Sequence, residues 1–286
     1  MCFSHLFLHL LFCLLVPLYV KGANLDNVPF EQNYVPLWGK ENIQILNQSL
    51  EVQLMLDQHS GSGFQSVHEY GSGWFSMRIK LPQKDSTEVI TTFYLISDVQ
   101  PTRDEIDFEF LGGNHERPYI MHTNIYINGQ GGREQQFHFW FDPTADFHDY
   151  TILWNEKQIV FFVDNIPIRV FKNTKKKGGS YPTQEKAMKI YATIWTSPWG
   201  SGGAPINWND APFEAHYRSF GINGCQVQSI NMPPCNSYKY WWNDAKFWDL
   251  NPLQKQAYNN VRSNYLVYDY CVKQLQSLEC QDLPEN

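Results

Sequence analysis

The sequence has little charge and no excess of basic residues. Only 18% of its 286 residues are Asp, Glu, Lys or Arg, and the formal net charge is -7. A chain of that balance is repelled by phosphate backbones and anionic bilayers, so neither nucleic acid nor a membrane surface is an expected partner. The one basic run, Lys175 to Lys177, precedes Gly178-Gly179 and reads as a solvated loop. The uncharged apolar run from Leu6 to Val20 falls short of the roughly 20 residues that span a bilayer. Its length suits the apolar region of a secretory signal peptide, predicted over residues 1–22 with cleavage after Gly22. Cysteine is scarce, at six residues, and removal of that segment takes Cys2 and Cys13 with it. Cys225, Cys235, Cys271 and Cys280 remain. They lack the pairs two to four residues apart and the flanking histidines of a zinc site. In a secreted chain an even set argues for two disulfides, and of the three pairings the local ones, Cys225 with Cys235 and Cys271 with Cys280, close short loops. Internal repeats and low-complexity segments are absent.

Aromatic residues are abundant, at 16% with ten Trp, a composition suited to an uncharged ligand stacked on flat rings as well as to a ring-rich core. From Gly63 to Gly221 short strand-like segments follow one another with no helical stretch between them. Phe75, Met77, Ile79 and Leu81 alternate with Trp74, Ser76, Arg78 and Lys80, and the same period of two returns at Phe137, Phe139 and Phe141. Ile159 to Val163 and Ile166 to Val170 flank Asp164-Asn165, whose tolerance of positive φ suits a two-residue hairpin. The pattern predicts an all-β sandwich or jelly roll over residues 23–221. After Pro252 the period lengthens: Leu253, Ala257, Val261, Tyr265, Tyr268, Val272 and Leu275 recur at three- and four-residue steps. This predicts an amphipathic helix capped by Asn251, with Pro252 at its first position, in an extension over 222–286 that carries both disulfides. Asn47-Gln48-Ser49 is an N-glycosylation acceptor sequence at Asn47.

The densest chemical signal is Asp104-Glu105-Ile106-Asp107-Phe108-Glu109-Phe110-Leu111-Gly112. On a strand Glu105, Asp107 and Glu109 share one face, and Ile106, Phe108 and Phe110 share the other. Stacked like charges repel and raise one another's pKa, which gives a structural protein little reason to align them. A glycoside-cleaving enzyme needs one ionised carboxylate and one protonated carboxyl. The spacing by itself leaves open which acid plays which role, whether the reaction retains or inverts configuration, and whether the acids instead hold calcium or magnesium.

With Gly61-Ser62-Gly63-Phe64, Phe141-Asp142-Pro143, Tyr217-Arg218-Ser219-Phe220, Tyr240-Trp241-Trp242 and Tyr268-Asp269-Tyr270-Cys271 beside that strand, residues 30–280 resemble the plant xyloglucan endotransglucosylase/hydrolases of glycoside hydrolase family 16. The resemblance implies a concanavalin-like jelly roll with a glucan-binding cleft and a C-terminal extension, a retaining mechanism with no metal or cofactor, and secretion to the apoplast and cell wall. It also implies roles: Glu105 as nucleophile, Glu109 as acid/base, Asp107 as the group that holds Glu105. The implied partners are cell-wall polysaccharides, xyloglucan above all, with mixed-linkage glucan or cellulose as further candidates; the expected state is a monomer. A hydrolase of the same glucans and a non-catalytic lectin on the same sandwich are the competing readings, the second disfavoured by the intact acid triplet.

Several implied binding positions depart from the family pattern. A usual Gln-Thr-Asn is His122, Thr123 and Asn124 here, where His122 either replaces the Gln contact or is a satisfied strand histidine. An Asp-Arg-Glu stretch is Gly132, Arg133 and Glu134. Trp195-Thr196-Ser197-Pro198-Trp199-Gly200 keeps the tryptophans, and Gly203 after them, but not the polar groups usual between them. These changes leave the expected chemistry intact and point to altered substrate choice.

Overall fold

Strands dominate the chain because its apolar residues recur at every second position between turn-forming residues, the period of a sheet with one buried face. The computed structural model describes residues 27–183, 185–201, 204–227, 234–274 and 276–281. The expected signal peptide, residues 1–22, and Gly203 lie outside the described residues.

The first half carries β1 (Tyr34–Trp38), β2 (Ile43–Leu46), β3 (Glu51–Leu56), β4 (Ser62–Ser66), β5 (Tyr70–Lys80), β6 (Val89–Ile96), β7 (Glu105–Leu111) and β8 (Ile120–Tyr126). The second half carries β9 (Gln135–His138), β10 (His148–Trp154), β11 (Gln158–Val163), β12 (Ile166–Lys172), β13 (Lys189–Thr196), β14 (Phe213–Arg218), β15 (Asn223–Gln226) and β16 (Leu266–Asp269). A short helix, α1 (Phe30–Asn33), precedes them, and α2 (Pro252–Tyr265) and α3 (Leu278–Gln281) lie near the end. One sheet has the order β1-β4-β13-β6-β7-β8-β9-β16. The second has the order β12-β11-β10-β5-β14-β3-β2, with β15 also paired to β5. Neighbours that are far apart in sequence, such as β13 and β6, make this the antiparallel jelly roll expected. Strands begin earlier than Gly63, however: β1 to β3 occupy Tyr34 to Leu56.

The space between the sheets is filled by one apolar cluster that includes Phe64, Phe75, Met77, Ile79, Phe93, Phe108 and Phe161. A second cluster joins Leu153, Val160 and Phe162 to Trp242, Leu250 and Tyr258. The C-terminal segment thus covers the outer side of β10 and β11, and β11 is buried at every position. Burial on both faces is why Ile159 to Val163 reads as a continuous apolar run rather than an alternating one. Asp164 and Asn165 adopt φ 48° and 65°, the left-handed pair that a two-residue hairpin between β11 and β12 requires.

Helix α2 starts as expected. The Asn251 side chain accepts from the Gln254 N–H, Gln254 answers on the Asn251 backbone, and Pro252 holds the first helical position. It ends sooner than the apolar period suggests. After Tyr265 the chain turns into β16 and pairs with β9, so Tyr268 and Val272 belong to a strand and a single 3-10 turn, while Leu275 lies outside the described residues. The buried helical residues are Tyr258 and Val261, and Leu253 is 63% exposed. Phe139 and Phe141 likewise lie beyond the end of β9. Both disulfides pair locally, Cys225 with Cys235 and Cys271 with Cys280.

Phe108 is wholly buried beneath the acid-bearing face of β7, against Phe93, Phe110, Tyr150 and Phe161 at centroid distances of 5.0–6.4 Å. Phe108→Ala is expected to lower stability in denaturant unfolding by about 3–5 kcal/mol. A loss under about 1 kcal/mol would show that this side of β7 is not part of the core.

Candidate active site

β7 runs through the interior of its sheet, hydrogen-bonded to β6 on one side and β8 on the other. Register fixes what flanks each acid. Glu105 stands between Ile96 and Tyr126, Asp107 between Tyr94 and Asn124, and Glu109 between Thr92 and His122. On β13, Thr193 continues the Glu109 row beyond Thr92, their hydroxyls 2.7 Å apart, and Tyr191 stands next to Tyr94 with ring centroids 5.4 Å apart. The acids, Thr92, Tyr94, Arg103, Tyr126 and Trp195 are among the residues lining a cavity of about 310 Å³.

Taking three carboxyls out of water side by side raises the cost of ionising each. The Glu105 carboxyl is pushed up by burial, and the Arg103 guanidinium, in direct contact with it, opposes that shift. Asp107 is 4% exposed and has no guanidinium in contact; burial, then the charges of Glu105 and Glu109, hold its carboxyl well above the usual carboxylate range. Burial, followed by the charges of Glu105 and Glu134, raises Glu109 to about 7. Contact with a cation therefore favours the charged form at Glu105 over its neighbours, while burial disfavours it at Asp107 and Glu109. An ionised and a protonated carboxyl on one face can deliver a nucleophile and a proton to the same bond. Protonated carboxyls are poor ligands for calcium or magnesium, which bind carboxylate oxygens, so the arrangement suits acid catalysis better than a metal cage.

Residues 30–210 match the model for glycosyl hydrolases family 16, and residues 236–272 match that of the xyloglucan endo-transglycosylase (XET) C-terminus. Xyloglucan endotransglucosylase/hydrolase protein 2 of Arabidopsis thaliana is 51% identical over 249 residues, covering 85% of this chain and 84% of the relative. The chain belongs to glycosyl hydrolase family 16. Another relative in the family, xyloglucan endotransglucosylase protein 2 of Diospyros kaki, is 45% identical over 249 residues, 86% of this chain and 83% of its own. Among solved structures, a Bacillus licheniformis β-glucanase shares the fold at a TM-score of 0.57 and 20% identity, over 71% of this chain and 96% of its own. A Flavobacterium laminarinase does so at 0.55 and 18%, over 66% and 91%.

The family 16 strand pattern brings some of the expected binding residues to the cleft and sends others elsewhere. His122 and Asn124 lie on the acid-bearing face, and Glu134 is close enough to act on Glu109 and Tyr126. Trp195 lines the cavity, and Trp199 is 51% exposed beside His122. Thr123 does not face the cleft. Strand alternation turns it inward, where it is fully buried, donates to the Gln135 carbonyl and accepts from Arg169. Arg133 is committed to structure as well: its Nε lies 2.7 Å from Glu279 and its Nη1 donates to the Gln130 carbonyl at 2.8 Å. The Asn124 oxygen accepts from the backbone of Ile125 and Arg133, so it braces the β8–β9 connection rather than waiting for a sugar hydroxyl. Gly132 has φ +80° and an open surrounding, a turn position with no side chain to offer.

Sequence reasoning missed Arg103, Thr92, Tyr94, Tyr126 and Thr193. Arg103 had a readable signal, since it extends the odd-numbered row 103, 105, 107, 109 by one step. The other four depend on cross-strand register.

Because Glu109 is raised from 4.5 to about 7, the folded state holds its proton more tightly than the unfolded chain does. Ionising it therefore costs stability, fully absent below pH 4.5 and growing as pH rises through 7. Glu109→Gln is expected to be more stable than the parent at pH 8 by on the order of 3 kcal/mol, and little different at pH 4. Unfolding curves that coincide at pH 8 would contradict the raised carboxyl.

Proposed function

We propose that this chain is a secreted retaining endo-transglycosylase that cleaves the β-1,4-glucan backbone of xyloglucan and passes it to a xyloglucan acceptor in the plant cell wall. The observation that carries the reading is the unequal surroundings of the acids along β7: Glu105 in contact with Arg103, which opposes the upward push of burial, and Glu109 raised to about 7 two residues beyond a buried Asp107. The kinship with xyloglucan endotransglucosylase/hydrolases supports the substrate class.

In the first half-reaction a Glu105 oxygen attacks the anomeric carbon while Glu109 gives its proton to the departing glycosidic oxygen. The bond to that oxygen breaks, its electron pair leaves with the new chain end, and a glycosyl ester on Glu105 remains. Protonated Asp107 steadies Glu105 from the adjacent position on the same face. In the second half Glu109, now a carboxylate, takes the proton of an acceptor hydroxyl; the acceptor oxygen attacks the same carbon and Glu105 leaves. Water in the acceptor's place gives hydrolysis, so the two outcomes share one machinery. Disulfides at Cys225–Cys235 and Cys271–Cys280 fit an oxidising compartment. Asn47 sits in an exposed turn between β2 and β3 and is the proposed glycosylation site.

Trp195 and Trp199 offer ring surface at a position where the acidic and amide side chains usual in the family are replaced by Thr196, Ser197 and Pro198. Stacking selects less sharply than hydrogen bonding; an apolar surface discriminates by only about 1–3 kcal/mol. Donor use is therefore proposed to extend to unbranched β-1,4-linked glucans.

Two measurements test this reading. Glu105→Ala should lose essentially all transfer while still binding glucan, and Glu109→Ala should be crippled on natural glucans yet retain much more activity on an aryl glycoside whose leaving group needs no proton. Near-normal turnover by the first, or equal losses on both substrates by the second, would overturn the roles. With competing donors at equal mass and a labelled xyloglucan oligosaccharide as acceptor, transfer from mixed-linkage glucan or cellulose is expected beside that from xyloglucan. Transfer from xyloglucan alone would refute the broad donor range.

A further inference from the structure

His122 is the cross-strand partner of Glu109. Its ring is 2% exposed and is held from three sides. Gln136, opposite it on β9, places its side-chain nitrogen 3.1 Å from Nδ1. Trp199 meets it edge to face, with centroids 5.2 Å apart. Nε2 then points at Glu109, 3.5 Å from Oε2, with no hydrogen-bond partner of its own. An amide nitrogen only donates, so Nδ1 accepts; a neutral imidazole that accepts at Nδ1 carries its hydrogen on Nε2. Burial, helped by the charge of Arg169 from the opposite sheet, lowers the ring's pKa to about 4 and keeps it mostly neutral above about pH 5.

We propose that His122 is a positioning residue for Glu109, a neutral imidazole whose Nε2–H addresses one carboxyl oxygen and leaves the transferable proton on the other. The proposal rests on Glu109 being the acid/base. When Glu109 gives up its proton to the glycosidic oxygen, the contact becomes a charge-assisted hydrogen bond to a carboxylate and shortens, which stabilises the base until the acceptor hydroxyl returns a proton. His122 itself neither gains nor loses one. The charged groups facing Glu109 are Glu105 and Asp107 along its strand and Glu134 from the segment before β9, and the phenols of Tyr94 and Tyr126 stand on the flanking strands.

The direct test is the imidazole nitrogen NMR of the wild-type protein, with the His122 signal assigned by difference from His122→Gln. A neutral ring with hydrogen on Nε2 from pH 8 to pH 5 is expected. A hydrogen on Nδ1, or protonation near pH 6.5, would overturn the proposal whatever the role of Glu109. Kinetics supply the second arm. His122→Phe keeps a ring against Trp199 and removes the donor. It should lower kcat on xyloglucan by about 10- to 100-fold with KM within about twofold. Loss of a donor to the carboxylate raises the Glu109 pKa, so the basic limb of the pH profile should move up by about one unit. An aryl glycoside that needs no acid should be turned over nearly as fast as by the parent, and His122→Gln, which keeps an N–H, should restore most of the xyloglucan rate. A raised KM with unchanged kcat would make His122 a binding residue, and equal losses on both substrates a structural one; either result sinks the proposal. Failure of Glu109 as the acid would show separately, as a Glu109→Ala variant indifferent to the leaving group.

Discussion

Glu105, Asp107 and Glu109 share one face of a strand in the interior of an eight-stranded sheet, where burial raises the cost of ionising all three and the charge of Glu105 adds to it at Asp107 and Glu109. Such a strand is tolerable only if its other face repays the cost. Ile106, Phe108 and Phe110 do so by going fully into the core between the sheets. The twofold period that aligns the acids is also what makes their underside apolar, so fold stability and the strained proton states are two consequences of one pattern. The remaining relief is electrostatic. Arg103 touches Glu105 from the cleft side, and the buried Arg169 reaches from β12 to the backbone of β8 and the adjoining loop, donating to the carbonyls of Thr123 and Arg133 at 2.9 and 2.6 Å. Its charge lies behind Asp107 without touching it, which lowers the penalty there without forcing ionisation.

The C-terminal segment takes part in that arrangement. β15 pairs with β5 in one sheet and β16 pairs with β9 in the other, so the segment lengthens both rather than hanging from one. Its Tyr270 N–H donates to the Glu134 carbonyl at 3.0 Å, and its Glu279 holds Arg133. Arg262 and Asp269 pair at 2.6 Å where α2 hands over to β16. Glu134, one of the charges that raises Glu109, is thus placed by residues far from the acid strand in sequence. The Cys271–Cys280 bridge closes the nine-residue step that carries Glu279 back to Arg133.

What could be read from sequence was whatever a local period encodes. The facing of Glu105, Asp107 and Glu109, the Asp164-Asn165 hairpin, the Asn251-Pro252 helix start and the local disulfides all follow from side-chain direction or turn chemistry within a few residues. The end of α2 did not, because Tyr265, Tyr268 and Val272 continue a helical spacing while β9 offers an unpaired edge that Leu266 to Asp269 complete. Tertiary pairing outweighed local period there. Thr92 and Thr193 meet at 2.7 Å although 101 residues separate them, and nothing in either neighbourhood specifies the register. Thr123 and Arg133 failed for a related reason. A motif transfers residue identities, whereas the direction of each side chain is set by strand alternation and by the partners that surround it.

The loop after β13 ties substrate surface to proton state. A Cβ on Gly200 would lie 2.9 Å from Ile90 and 3.8 Å from Leu111, so the loop rests almost directly on the sheet at the Glu109 end of β7. That close approach carries Trp199 over His122, with half of its surface still exposed. One edge of the indole therefore keeps water from the imidazole beside Glu109, while the exposed part is the surface proposed to stack on a sugar ring. A side chain at residue 200 would lift the loop, and the loss would be twofold: the platform would move and the desolvation that keeps Glu109 protonated would weaken. The ring proposed to select a glucan and the carboxyl proposed to supply its proton are consequently not separable, since both depend on how closely Trp199 is drawn onto the sheet.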